Sequence, residues 1–328
     1  MYIEMIKKEY KSNEIKEVLE KNFIYLMVDF YEVQVEFLSS LVKIFSDLDK
    51  AYIVLFVIKK IYGENYINIF SDTNLDRSLS KFIKKASKQQ ILNFKIIDIS
   101  SELNLPKETV RRKISELNKY NFLIKKERKL IVDWTNDVFN KIFENQITIS
   151  SKFLSKFSII YNRTKFLGIE YSQIELKKII KENFALHFYF FLDFQLKWYR
   201  LWKEKLEDMD IVLIFMFCSL NNLYQIKKDR PEESKISHHK ALKSQSKLIN
   251  QKGLNVSSIS ELSGIPRPTV LRKIKFLLNK KLIIKDSNNL YSIFTDRKSY
   301  GNKIAFPEIP IVLEHISDYL ATSFNTIR

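Results

Sequence analysis

The strongest constraint on this 328-residue chain is an internal duplication. IKEVLEKNF, from Ile15 to Phe23, is matched by LKKIIKENF, from Leu176 to Phe184, and Phe30, Gln34, Asp47 and Asp49 recur as Phe191, Gln195, Asp208 and Asp210 at the same offset of 161 residues. Further on, ISSELNLPKETVRRKI (Ile99 to Ile114) matches ISELSGIPRPTVLRKI (Ile259 to Ile274) at an offset of 160, and Leu117, Ile124, Lys125 and Leu130 recur as Leu277, Ile284, Lys285 and Leu290. Unrelated helical proteins share apolar periodicity, but they do not share matched polar residues at a near-constant offset. The first copy runs over about 1–161 and the second over about 162–328; the stretches 63–88 and 224–246 resist alignment, and DRPEESKISHHK at 229–240 reads as a polar excursion.

Five Gly and six Pro leave few turns for an all-β chain, and 45% hydrophobic residues suffice for sizeable cores, so the expected fold class is mainly α. Leu19, Phe23, Leu26, Phe30, Val33 and Phe37 alternate steps of four and three, the seam of a helix that packs on another helix. The second copy repeats the seam with Ile180, Phe184, His187, Phe191, Phe194 and Trp198. Burying one seam against the other gives an internal pseudo-dimer. A second helix follows in each copy, over Ala51 to Ile61 and Ile211 to Leu223.

Each copy then carries a compact pattern. In the first, a short helix from Ile97 to Leu103 turns at Asn104 into a helix opened by Pro106 at its first position, with Val110, Ile114 and Leu117 as its buried face. Asn121 is a left-handed terminator, and Leu123 to Lys126 with Leu130 to Trp134 form a hairpin around Glu127 and Arg128. In the second, Ile259 to Ser263, a turn at Gly264, Pro266, the face Val270, Ile274 and Leu277, and a hairpin of Leu282 to Lys285 with Leu290 to Phe294 repeat the order. The order helix, turn, helix, wing resembles winged helix-turn-helix DNA-binding domains, with LPKETVRRKI and IPRPTVLRKI similar to the recognition helices of MarR, IclR and Crp-type bacterial regulators. The resemblance covers about a quarter of the chain. It implies two tandem modules, the first with its helix-turn-helix at about 96–118 and wing at 122–134, the second at about 256–278 and 282–294. The flanking helices are similar to the MarR arrangement, which implies that they form the dimer interface.

Lys+Arg 55 against Asp+Glu 38 leaves a net charge of +17, a surface that attracts polyanions. The bias towards Lys, Ile, Asn and Phe is that of AT-rich coding sequence, so the charge says less than the placement of Arg: of 11 in the chain, four fall within the two recognition-helix windows. Lys107, Glu108, Arg111 and Arg112 lie off the buried face of the first helix, and Arg267, Pro268, Leu271 and Arg272 take those places in the second. A guanidinium suits bidentate guanine contact, whereas Leu271 and Pro268 can touch only a thymine methyl. Thr109, Thr269, Lys113 and Lys273 are candidate phosphate ligands, and Arg128, Lys129, Asn288 and Asn289 on the wings are candidates for the adjacent backbone or minor groove. Unlike reading faces predict two unlike half-sites about one helical turn apart, and hence a non-palindromic operator.

Other chemistry is sparse. His187, among Phe184, Phe188 and Phe191, reads as a buried, hydrogen-bonded histidine, with a ligand- or pH-sensing spot as the sharper alternative. The aromatic crowd from Phe184 to Trp202 reads as core before it reads as an effector pocket. His238 and His239 lack ligands at metal spacing, Glu232 and Glu233 read as a solvated pair, and Cys218 reads as a small core residue. No Walker loop, dinucleotide fingerprint or nucleophile elbow occurs, so neither an enzyme nor a cofactor is expected. The N-terminus shows no secretory pattern, and the apolar runs, such as Ile211 to Cys218, are shorter than the roughly 20 residues that span a bilayer. The expectation is a cytoplasmic, nucleoid-associated regulator whose partner is double-stranded DNA, with no metal and no membrane. A plasmid-type replication initiator and a winged-helix protein adaptor are the alternatives.

Overall fold

The structure, a computed structural model, describes residues 9–71, 76–86, 95–126, 129–134, 136–165, 169–229, 252–293 and 308–327. Each half begins with a broken helix. In the first, α1 (Ser12–Lys21) and α2 (Phe23–Phe45) meet at Asn22, whose Nδ2 donates to the Val18 carbonyl at 2.9 Å. In the second, α8 (Gln173–Glu182) and α9 (Phe184–Leu206) meet at Asn183, which donates likewise to Ile179 at 3.3 Å. Asparagine competes with the helical ladder for backbone partners, so the seam expected as one helix bends at a matched position in both copies.

The next corner is also built twice. α2 and α9 end on Ser46 (φ 59) and Glu207 (φ 62), left-handed residues at the same place in the repeat. Asp47 and Asp208 follow and cap α3 (Leu48–Ser71) and α10 (Met209–Asp229): Asp47 Oδ1 accepts from Lys50 N at 2.9 Å, and Asp208 Oδ1 from Ile211 N at 3.3 Å. Both helices outrun the spans expected for them. α4 (Leu79–Ala86) sets Phe82 against Phe143, Phe184 and Phe188.

The helix–helix–hairpin units follow. α5 (Ile96–Glu102) and α6 (Lys107–Lys119) turn at Asn104 (φ 49), and α11 (Val256–Ser263) and α12 (Arg267–Asn279) at Gly264 (φ 75). Each turn is tied by a serine, Ser100 Oγ donating to the Leu105 carbonyl at 2.6 Å and Ser260 Oγ to Ile265 at 2.7 Å. Pro106 and Pro266 sit one residue earlier than expected, as extended N-cap residues whose carbonyls accept from Val110 N and Val270 N. β1 (Leu123–Lys126) pairs antiparallel with β2 (Lys129–Val132), and β3 (Ile283–Lys285) with β4 (Tyr291–Ile293). The second hairpin is shorter than expected, and Leu254 adds a bridge to Tyr291; a Cβ on Gly253 would meet the Tyr291 backbone at 2.6 Å, so glycine is required there. Asn121 (φ 56) terminates α6 in the left-handed conformation, as read from the sequence, and Lys281 (φ 54) does the same after α12 without being Asn or Gly. Each half closes on a long helix that the sequence reading did not assign, α7 (Val138–Lys165) and α13 (Ile309–Ile327).

The halves interlock. α1 packs on α13 and α8 on α7, so the first helix of each half meets the last helix of the other; α2 packs on α10 and α3 on α9. At the centre Phe30 meets Trp198 edge-on at 5.3 Å and Phe37 meets Phe191 edge-on at 4.9 Å. Phe30 corresponds to Phe191 and Phe37 to Trp198, so this is one contact made twice, and Gln195 Nε2 donates to its own counterpart Gln34 at 3.4 Å between them. That reciprocity is the signature of a two-fold interface, here within one chain. The seam residues from Phe184 to Trp202 are core: Phe184, Phe188, Phe191 and Trp198 are fully buried. His187 is buried too, its Nδ1 3.1 Å from Gln146 Nε2, and burial lowers its pKa to about 3. Cys218 is buried among apolar neighbours, which pushes its thiol up to about 12.

The fold is mainly α, and among the described residues one helix, over Met209–Lys228, is long and apolar enough to cross a bilayer. Its uninterrupted apolar runs are short because Ser219, Asn221 and Asn222 break them. Most of this helix is buried inside the fold, between α2, α9 and α12, as a core helix is.

Candidate nucleic-acid interface

The two helices singled out in the sequence are held to the frame by matched anchors. Lys113 is 5% exposed; its Nζ lies 2.5 Å from Asp47 Oδ2 and 3.6 Å from Asp49. Lys273, its counterpart on α12, pairs with Asp208 Oδ2, the counterpart of Asp47. One carboxylate in each half therefore does two things, one oxygen capping α3 or α10 and the other fixing α6 or α12. Lys113 and Lys273, candidate phosphate ligands in the sequence, are thus engaged by carboxylates of the frame, Lys113 buried and Lys273 half-buried. Their side chains leave the helix on the frame side, beside Val110 and Val270, because position 113 follows the buried residue 110 by three, one helical turn.

The anchors lie together. Burial first, then Asp208, raises Asp210 to about 6; Lys273 opposes this, and Asp47 and Asp49 of the other half push it further up. Asp210 is consequently within electrostatic reach of Asp208, Asp47 and Asp49, so carboxylates of the two halves come near one another. The site is not symmetric in detail. Asp49 accepts from Tyr199 Oη at 2.7 Å and from Lys203 Nζ at 3.1 Å, whereas the residues that match Tyr199 and Lys203 in the other half are Leu38 and Val42, which can donate nothing. For Asp47, burial raises the pKa, but Lys113 and the Lys50 backbone outweigh it and leave the carboxyl below its ordinary value.

The outward faces carry the remaining candidates. Lys107, Glu108, Arg111 and Arg112 on α6 are exposed, as are Arg267, Pro268, Leu271 and Arg272 on α12, while Thr109 and Thr269 are half-buried at the helix starts. On α6 each arginine is paired within its own helix, Arg111 with Glu108 and Arg112 with Glu116 at 3.4 Å. α12 contains no acidic residue, and Arg267 and Arg272 make no ion pair among the described residues. Leu271 is 41% exposed, an apolar tip in the place of Arg111. Lys129, Asn288 and Asn289 are exposed on the hairpins, Asn289 in a left-handed turn (φ 61) closed by Asp286; Arg128 lies outside the described residues.

Ser115 and Lys275, four residues on from Arg111 and Leu271, are exposed and extend the same stripes. The i, i+4 spacing was the signal for both, and the sequence reading stopped one turn short of it. Asn118 holds the first hairpin to α6, its Oδ1 accepting from Lys125 N at 2.9 Å. No protein-family model, no curated protein and no solved structure matches this chain.

Proposed function

We propose that the chain is a sequence-specific, double-stranded DNA-binding transcriptional regulator, its two helix–helix–hairpin units being winged helix-turn-helix modules of a single-chain pseudo-dimer. The observation that carries this reading is the pair of exposed cationic helices, α6 and α12, each fastened to the frame by a matched lysine–aspartate anchor. Each helix buries an apolar face with Val110, Ile114 and Leu117 or Val270, Ile274 and Leu277, and presents long donors outward, which is what a major groove accepts. The halves read differently. Arg111, with Glu108 beside it, favours a guanine next to a cytosine amine, and Leu271 with Pro268 favours a thymine methyl.

Gel-shift titration at two salt concentrations tests the reading. Binding that weakens steeply with salt, and a loss of about 1–3 kcal/mol on Arg111→Ala or Arg272→Ala, is the expected result. A protein adaptor built from the same modules would show no salt-sensitive affinity for duplex DNA, and that outcome removes the proposal.

A further inference from the structure

A cavity of about 610 Å³ opens between α2, α7, α10 and α11, on the side of the second module. Its size falls within the range of small-molecule sites, roughly 300–1,000 Å³. Its walls divide by chemistry. Phe217, Leu220, Tyr224, Leu254 and Leu262 give an apolar side, with Tyr224 and Leu262 42% and 50% exposed. α2 gives the polar side with Glu32, Glu36, Ser39 and Lys43.

The same place in the first half is spanned by ion pairs. Ser39 corresponds to Arg200 and Leu262 to Glu102, and Arg200 reaches Glu102 at 3.8 Å; Glu32 corresponds to Asp193 and Leu220 to Lys59, and that pair lies at 2.5 Å. Replacing a long cation by serine and its carboxylate partner by leucine removes this bridge in the second half and leaves an apolar-walled space.

The polar side is not fully paired, and Glu36 makes no ion pair among the described residues. Glu32 is matched by Lys152 at 2.9 Å, and Lys152 also feels Glu36 and Asp29. Lys43 makes no ion pair among the described residues, and one turn before it Ser39 is 6% exposed, its buried hydroxyl without a hydrogen-bond partner. An ammonium and a free hydroxyl at i and i+4 on one helix face form a receptor for a carboxylate.

We infer that this cavity binds one small organic acid per chain, its carboxylate on Lys43 and Ser39 and its apolar body on α10 and α11. The site touches the second module directly. Leu262 belongs to α11, Leu254 bridges to wing strand β4, and the Lys43 stem would meet a Cβ on Gly264 at 3.2 Å, in the turn that leads into α12. A bound acid therefore bears on the turn that sets α12, the reading helix if the proposed function holds.

Isothermal titration with decanoate and 2-naphthoate, each beside its neutral amide, tests the site without any DNA. The expected result is saturable binding of at least one acid at one per chain below about 1 mM, weakened about ten-fold in its amide and in Lys43→Met. The double substitution Ser39→Arg with Leu262→Glu installs the first half's ion pair and abolishes binding, while an unchanged unfolding midpoint shows that the fold survives. Amide hydrogen exchange in 256–279 slows on binding of the acid. No saturable binding of either acid, two sites per chain, or binding indifferent to both Lys43→Met and the double substitution would overturn the inference. Loss of DNA affinity alone bears on the proposed function and leaves this result standing.

Discussion

Replacing Lys113 by Met separates an anchor from a phosphate ligand. Its side chain is 6% exposed and faces Asp47, 35% exposed, and Asp49, 18% exposed. Removing one partner of a buried pair costs about 3–5 kcal/mol, because the other charge stays desolvated. Two features place Lys113→Met at the lower end, about 3 kcal/mol: Asp47 is partly solvated, and Asp49 keeps Tyr199 and Lys203. Lys273→Met should cost less, about 1–2 kcal/mol, since Lys273 and Asp208 are 15% and 32% exposed. Denaturant unfolding reads these losses, and a cycle with Asp47→Asn should return a coupling above about 1 kcal/mol. DNA titration against salt gives the second readout. An anchor leaves the slope of log affinity on log salt unchanged, whereas Lys107→Ala or Arg112→Ala lowers it by about 0.9 per phosphate lost. A Lys113→Met protein of undiminished stability with a slope reduced by about 0.9 would refute the assignment.

Two further predictions concern pH. Asp210 has a folded pKa near 6, above its unfolded value, so the stability it contributes is full below about pH 4 and is lost as pH rises through 6. Asp210→Asn should accordingly raise unfolding stability by about 2 kcal/mol at pH 7 and leave it unchanged at pH 4; equal effects at both would contradict the raised titration of Asp210 beside Asp208. His187 runs the other way: burial lowers its folded pKa to about 3, so stability present above pH 6.5 falls by about 1.4 kcal/mol per pH unit below it. His187→Leu, the residue at the matching position 26, should flatten that acid limb in the pH dependence of the unfolding midpoint. An unchanged limb would mean that His187 is solvated.

Much of this architecture was legible because the chain is written twice. The central contacts between Phe30 and Trp198 and between Phe37 and Phe191 follow from seam residues visible at alternating steps of four and three, and Asn121 ended its helix as its residue type suggested. The partner of α1 was not legible. Its docking on α13 crosses from one half to the other, and periodicity says which face is buried without saying against what. Lys113 and Lys273 were misread for a related reason. A lysine on a basic helix reads as solvent-facing until a carboxylate from another element is brought beneath it, and Asp47 lies 66 residues away in sequence. The cavity beside α2 was equally hidden, although its cause, serine at 39 where the other half has Arg200, was present in the alignment of the two copies.

Selecting bound sequences from a random duplex pool with the purified full-length chain tests the main claim most directly. The account predicts one chain per duplex and two unequal motifs about one helical turn apart, a guanine-containing one lost with Arg111→Ala and a thymine-containing one altered by Leu271→Ala. Enrichment of a perfect palindrome, or no enrichment at any salt concentration, would contradict it.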